Sequence, residues 1–238
     1  LSEEGVKEIM LLGQNVNSYG KTLEEPMTFA ELLQKVTEVD GIERVRFMTS
    51  HPKDCTKELI DAMRECKKVA PHLHLPVQSG SNRILKAMNR VYTREGYLEL
   101  VKSVKDTVAD ICLTSDIIVG FPGETREDFE DTLSLVREVG YSSLYTFAYS
   151  PREGTPASKM EEHVSSEEKS RRLSELSALQ ESISAEQNKK YLGKTLRVLC
   201  EGKSKKPGFL NGRSDGNINV EFEGDDSLIN EFVNVTVT

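Results

Sequence analysis

His72-Leu73-His74-Leu75-Pro76-Val77-Gln78-Ser79-Gly80-Ser81 begins as a strand and ends in a run of small polar residues. Alternation puts His72 and His74 on one face. Pro76 has no N–H to give, so strand pairing loosens there. The pattern decides the fold because it recurs. Gly13-Gln14-Asn15 ends an apolar strand at 7–12, and Thr49-Ser50-His51-Pro52 ends one at 44–49. Residues 116–124 span the end of a strand at 111–119, and Tyr149-Ser150-Pro151-Arg152 ends one at 143–149.

Between these strands the apolar residues fall at helical spacing. Thr28 and Glu31 form a capping box ahead of Phe29, Leu32, Leu33 and Val36, and Leu59, Ile60 and Met63 mark the next helix. Two helices follow the opening strand, the second using Tyr97, Leu100, Val101, Val104 and Val108. Thr125 caps a helix that turns Phe129, Leu133 and Val136 inward and stops at Gly140. Successive strand–helix units predict a parallel sheet with helices outside, because each parallel step needs a long right-handed crossover. The fold class is therefore α/β, a partial parallel (β/α) barrel. In such barrels the carboxyl ends of the strands hold the active site, and every polar motif above lies at one.

A helix at 165–190, opened by a Ser165/Glu168 capping box and lined by Leu173, Leu176, Leu179 and Ile183, is expected to lead away from the sheet as a connector. From about residue 191 the pattern changes to short segments at 195–200, 209–210, 217–222 and 232–237 separated by Gly, Asn and Asp, which predicts a small antiparallel barrel. The expected division is 1–164, 165–190 and 191–238.

Lys and Arg number 31 against 39 Asp and Glu, a net charge of −8, so a nucleic acid would have to be held by a local patch. Lys203, Lys205, Lys206 and Arg213, in loop-like sequence, are the candidates, read either as solvated loop or as phosphate contacts. No apolar run reaches the roughly 18 to 20 residues that span a bilayer, and a cytosolic location is expected. Cys55, Cys66, Cys112 and Cys200 are scattered, against a disulfide framework or a four-cysteine zinc site. The chain begins at Leu1 and stops in strand-like Val235-Thr236-Val237-Thr238, so it reads as a piece of a longer protein.

A barrel mouth of Gln, Ser, Asp and Gly offers hydrogen bonds to a polar small molecule and little for hydrolysis, since no Ser sits in a nucleophile elbow. His72 and His74 read as polar barrel-interior or substrate-lining residues, or as a metal pair. Gly120-Phe121-Pro122-Gly123-Glu124 precedes a helix as a phosphate cradle would, but lacks the Lys-Ser/Thr ending of a P-loop.

LPVQSGSNRILKAMNRVYTREGY (75–97), TSDIIVGFPGETREDFEDT (114–132) and YSPREGTPASKM (149–160), in this order and spacing, resemble the radical S-adenosylmethionine (SAM) domain of the methylthiotransferases, and the tail resembles their RNA-binding TRAM barrel. Thr49-Ser50-His51-Pro52-Lys53-Asp54 and HLHLPVQSGS resemble the members acting on dimethylallyladenosine beside the tRNA anticodon. The branches acting on threonylcarbamoyladenosine or on a ribosomal-protein aspartate are more distant alternatives. A non-catalytic RNA-binding module is an alternative of another class.

The resemblance implies that a 4Fe-4S cluster reduces SAM to a radical that activates the adenine ring for methylthiolation. It further implies a tRNA anticodon stem-loop as partner, an electron donor and a sulfur source. It assigns Gln78 to hydrogen-bonding SAM, Arg90 to its carboxylate, Asp116 to its ribose hydroxyls, Gly13, Gln14 and Thr49 to its methionine end, and Ala148 to the neighbourhood of adenine. The chemistry is apt, since a guanidinium fork suits a carboxylate and a carboxylate suits a diol. Taken singly, Arg90 reads as a surface ion pair and Asp116 as a strand-end turn; as a spaced set on one barrel face they read as a site. The CxxxCxxC loop that holds the family's cluster does not occur here, so this chain by itself is expected not to turn over.

Overall fold

A computed structural model of the chain describes residues 1–48, 50–160 and 164–238. Strand β1 (Glu8–Leu11) pairs parallel with β2 (Arg44–Phe47), and β3 (His72–His74), β4 (Cys112–Val119) and β5 (Ser143–Ala148) pair parallel in that order. The two sheets are joined across Val45, whose N–H donates to Lys68 O at 2.7 Å while its carbonyl accepts from the Ala70 N–H at 2.9 Å. The strands thus follow one another in chain order around an arc, the partial barrel expected.

Helices α1 (Phe29–Thr37), α2 (Lys57–Glu65), α3 (Asn82–Ala87), α4 (Arg94–Thr107) and α5 (Arg126–Val139) cover its outer face. Each begins where a Thr or Ser leaves extended backbone and accepts an otherwise unpaired N–H of the first turn. The Thr28/Glu31 box is complete, and α5 ends at Gly140, whose φ of 61° is the left-handed stop a glycine adopts readily. Alternation sorts the strand residues: Val45 and Phe47 of β2, Leu73 of β3 and Leu113, Ile117 and Val119 of β4 join Leu33, Phe129 and Val136 in one apolar core beneath the helices. The opposite, inner face of the arc receives Glu8, Arg44, Arg46, His72, His74, Thr114 and Asp116.

Helix α6 (Ser166–Asn188) does not lead away from the sheet as expected. Leu176 is fully buried in the barrel core with Leu173, Leu179 and Ile183 packed beside it, Gln180 Nε2 donates to Tyr141 O (2.8 Å) and Ser184 Oγ to Ser142 O (2.9 Å). The reason is its apolar stripe, which is buried only by lying against the outer face of β5. Its capping box is half formed. Ser165 accepts the Glu168 N–H at 3.2 Å, whereas the Glu168 carboxylate turns to Arg171 and Arg172.

After α6 come β6 (Thr195–Lys203), β7 (Phe209–Ser214), β8 (Asn219–Glu223) and β9 (Phe232–Thr236), an antiparallel sheet in the order β8-β7-β6-β9. It curls over a second small core of Val198, Cys200, Leu210 and Phe222, helped by a bulge between Cys200 and Gly202. Its β7–β8 turn sits against the amino-terminal ends of the barrel strands. There Arg44 donates to Arg213 O (3.1 Å) and Asp215 Oδ1 (2.9 Å), and Arg46 to Ser214 O (2.6 Å) and Asp215 O (3.0 Å). Both guanidiniums also donate to the Glu8 carboxylate. No helix among the described residues is long and apolar enough to cross a membrane.

Candidate cofactor-binding site

At the carboxyl end of the arc lies a cavity of about 760 Å³. Its floor is Gln78, Asp116 and Ile118, one wall is the end of α3 and the turn after it, Ala87–Arg90, and the far wall is Phe147, Ala148 and Tyr149 with Phe121. Four of the residues assigned to SAM from sequence, Gln78, Arg90, Asp116 and Ala148, thus meet around one space although they come from separate segments. Gly13 and Gln14 are exposed and outside the cavity wall among the described residues, and Thr49 lies outside the described residues.

Local backbone explains how each side chain arrives. Gln78 continues the β3 line, its N–H donating to Asp116 O and its carbonyl accepting from Ile118 N–H, both at 2.9 Å. Its φ of 73° is in the left-handed region. The next three residues do something else. The Gly80 N–H donates to Thr132 Oγ1 (2.9 Å) and Ser81 Oγ to Asp128 Oδ1 (2.6 Å), tying the loop to α5. Gly80 has no room for a side chain, since a Cβ would stand 2.5 Å from Asp131 O and Thr132 Cα. The polar run after β3 therefore presents one residue to the cavity and uses the others to fix the loop.

Arg90 follows Asn89, whose φ of 58° turns the chain back so that the Arg90 N–H donates to Leu85 O at 2.8 Å. Among the described residues its Nε is buried without a partner, and so is the Tyr149 hydroxyl. A buried guanidinium N–H and a buried hydroxyl left unpaired are costly, and a ligand carrying acceptors would satisfy both. Burial, and then the Arg90 charge, push the His51 pKa down. The donor set fits SAM: a fork for its carboxylate, the Asp116 carboxylate for its diol, and Ile118, Phe121, Ala148 and Tyr149 for a flat ring. It does not fit an iron–sulfur cluster. Cys55, Cys112 and Cys200 are buried apart, burial raises the Cys55 pKa to about 12, and no group of three or more His, Cys, Asp or Glu able to hold a metal exists among the described residues.

The Gly120–Glu124 loop is no phosphate cradle. The Gly120 N–H is taken by the Glu124 carboxylate (2.7 Å), which is buried and paired with Arg172 of α6 at 2.6 Å. His72 and His74 are not arranged as a metal pair either. His72 Nε2 and His74 Nδ1 lie 3.1 and 3.0 Å from one atom, Thr114 Oγ1.

Of the residues proposed for RNA, Lys203, Lys205 and Lys206 are exposed together where β6 enters its turn. Lys203 pairs with Asp226 at 2.6 Å, and Lys206 Nζ stands 3.4 Å from the centre of the Phe209 ring. Arg213 is at the other end of β7, paired with Glu201, and its carbonyl receives Arg44. Sequence reading did not single out Tyr149 for its hydroxyl or His74 for its contact with Asp116. The second had no signal in the sequence alone, because it is the β3–β4 register that sets His74 beside Thr114.

A family model, that of the Radical SAM superfamily, matches residues 1–136, and the chain belongs to that superfamily. The TRAM domain family matches residues 189–238. Two relatives bear the name tRNA-2-methylthio-N(6)-dimethylallyladenosine synthase. That of Alkaliphilus oremlandii is 58% identical over 238 residues, and that of Acetivibrio thermocellus 55%. Both cover all of this chain, which spans about half the length of the curated relatives it matches (50% in each). Among solved structures, coproporphyrinogen III oxidase from Escherichia coli superposes with a TM-score of 0.54 at 14% identity, covering 88% of this chain and 56% of its own. Methylornithine synthase gives 0.51 at 20%, covering 74% and 49%. These two likenesses speak for the fold alone.

Proposed function

We propose that this chain is the SAM-binding barrel and the RNA-binding tail of a methylthiotransferase that modifies dimethylallyladenosine beside the anticodon of tRNA. One observation carries the reading: a cavity at the carboxyl ends of parallel strands where Gln78, Asp116 and an Arg90 whose buried Nε has no partner among the described residues converge. The 58% identity over the full chain to a synthase of that name supports the choice of substrate.

Bound SAM, acting with a 4Fe-4S cluster whose ligands are not among these residues, supplies the radical chemistry and the methyl group. The chain's own residues bind and orient. Arg90 takes the methionine carboxylate, Asp116 the ribose hydroxyls and Gln78 a further hydrogen bond, while Phe121, Phe147 and Ala148 keep water from the adenosyl end. Gly13, Gln14 and Thr49 belong on this proposal to the methionine end. Lys203, Lys205 and Lys206 contact backbone phosphates of the anticodon stem-loop, and Arg213, at the barrel junction, contributes from the side. An electron donor and a sulfur source are further partners, and the cytoplasm is the proposed location.

The test is mass spectrometry of tRNA bearing dimethylallyladenosine after incubation with the protein that contains this chain, its cluster reconstituted. Methylthio gain with the parent and none with Arg90→Ala is expected. An Arg90→Ala protein as active as the parent would overturn the assignment.

A further inference from the structure

We propose that His74 is a positioning residue, a proton on its Nε2 holding the Asp116 carboxylate in the orientation that meets the ribose diol. The proposal rests on the SAM reading above and deepens it. His74 Nε2 stands 3.4 Å from Asp116 Oδ1, and the imidazole is buried, packed edge-on against Tyr145 with ring centres 5.5 Å apart. A carboxylate only accepts, so a favourable contact requires the proton on Nε2.

The rest of the buried chain agrees with that tautomer. In a neutral His74 carrying its proton on Nε2, Nδ1 is bare and takes the one proton of the Thr114 hydroxyl, 3.0 Å away. The Thr114 oxygen is then an acceptor, and His72 Nε2, 3.1 Å from it, donates. Burial keeps His72 neutral, pushing its pKa down to about 3. The His72 Nε2 proton and the Thr114 hydroxyl proton each then have an acceptor at hydrogen-bond distance, and the His74 Nε2 proton faces the Asp116 carboxylate at 3.4 Å. Reversing the line would leave two lone pairs, of His74 Nε2 and of the carboxylate, facing each other. The line also gives both β3 histidines a part: His72 fixes the Thr114 hydroxyl, which fixes the His74 tautomer.

Long-range nitrogen–proton NMR of the histidine rings in the unmodified chain reads the tautomers directly. Protons on His74 Nε2 and His72 Nε2 are expected; a His74 protonated only at Nδ1 overturns the proposal. A binding comparison tests the consequence, using S-adenosylhomocysteine and its 2′,3′-dideoxy analogue, which lacks the diol. His74→Phe, which keeps a ring against Tyr145, is expected to weaken S-adenosylhomocysteine about tenfold, equivalent to about 1.4 kcal/mol, and to leave the analogue unchanged. A purely structural role for His74 would weaken both ligands alike and defeat the proposal. Asp116→Ala serves as the reference. If it discriminates between the ligands and His74→Phe does not, the positioning role fails while the SAM reading stands. If Asp116→Ala does not discriminate, the ribose assignment fails and takes the proposal with it.

Discussion

Gln78 holds a left-handed backbone that costs a non-glycine residue on the order of 1 kcal/mol, and its side chain forms part of the cavity floor. Strain kept at such a point is consistent with a binding role. Gln78→Gly should relieve the backbone and lose the side chain, so SAM affinity falls while the thermal midpoint stays within a few degrees of the parent. A large loss of both would mean that Gln78 is structural. His72 gives the residue-scale prediction for pH. Burial depresses its folded pKa from the ordinary 6.5 to about 3, so between those values the unfolded chain binds the extra proton. Stability then falls as pH drops through that window and gains nothing from this group above it. Denaturant titrations from pH 7 to 4, with His72→Phe as control, should show a shallower pH slope in the variant.

At the scale of elements, the loop after β3 is secured by backbone contact with α5. Gly80→Ala forces a Cβ to within 2.5 Å of α5 backbone atoms, and Thr132→Val strips the buried Gly80 N–H of its acceptor. The second change should cost about 1–3 kcal/mol in chemical denaturation; the first should cost more, because backbone rather than a flexible side chain must shift. Equal stability of Gly80→Ala and the parent would contradict the close approach. Most elements were legible in the sequence, since period and caps announced α1, α5 and the strand ends. The course of α6 was not. A stripe of Leu173, Leu176, Leu179 and Ile183 says that a face is buried but not against what, and β5 supplies the answer only in three dimensions. Asn89 likewise reads as an ordinary helix end until its positive φ is seen to aim Arg90.

For the molecule as a whole, the feature hardest to read from sequence is the junction between barrel and curled sheet. Arg44-Val45-Arg46-Phe47 alternates as a half-exposed strand would, yet Arg44 and Arg46 are only 1% and 2% exposed. The polar face of β2 looks into the barrel, where Glu8 and the carbonyls of Arg213, Ser214 and Asp215 receive both guanidiniums. A period-2 pattern does not distinguish water from a polar lumen. Burial, and then the charge of Arg44, lower the Arg46 pKa against the opposing pull of Glu8. Glu8→Gln should therefore destabilise by roughly 3–5 kcal/mol, the cost of leaving buried charge uncompensated. Asp215→Ala, at a half-exposed partner, should cost well under that. If Glu8→Gln melts like the parent, the arginines are solvated and the two parts are not docked as described. The candidate site was legible to the same degree: the strand-end positions of Gln78, Asp116 and Ala148 follow from parallel topology, whereas the ring nitrogen that faces Asp116 needed the register of β3 on β4.

If the cavity between Gln78, Arg90 and Asp116 binds SAM, calorimetric titration of SAM into this chain and into its Arg90→Ala variant will read it. Saturable binding at one site is expected, weakened at least tenfold, or about 1.4 kcal/mol, in the variant. Equal affinity in the two, or no binding to the parent chain, would contradict it.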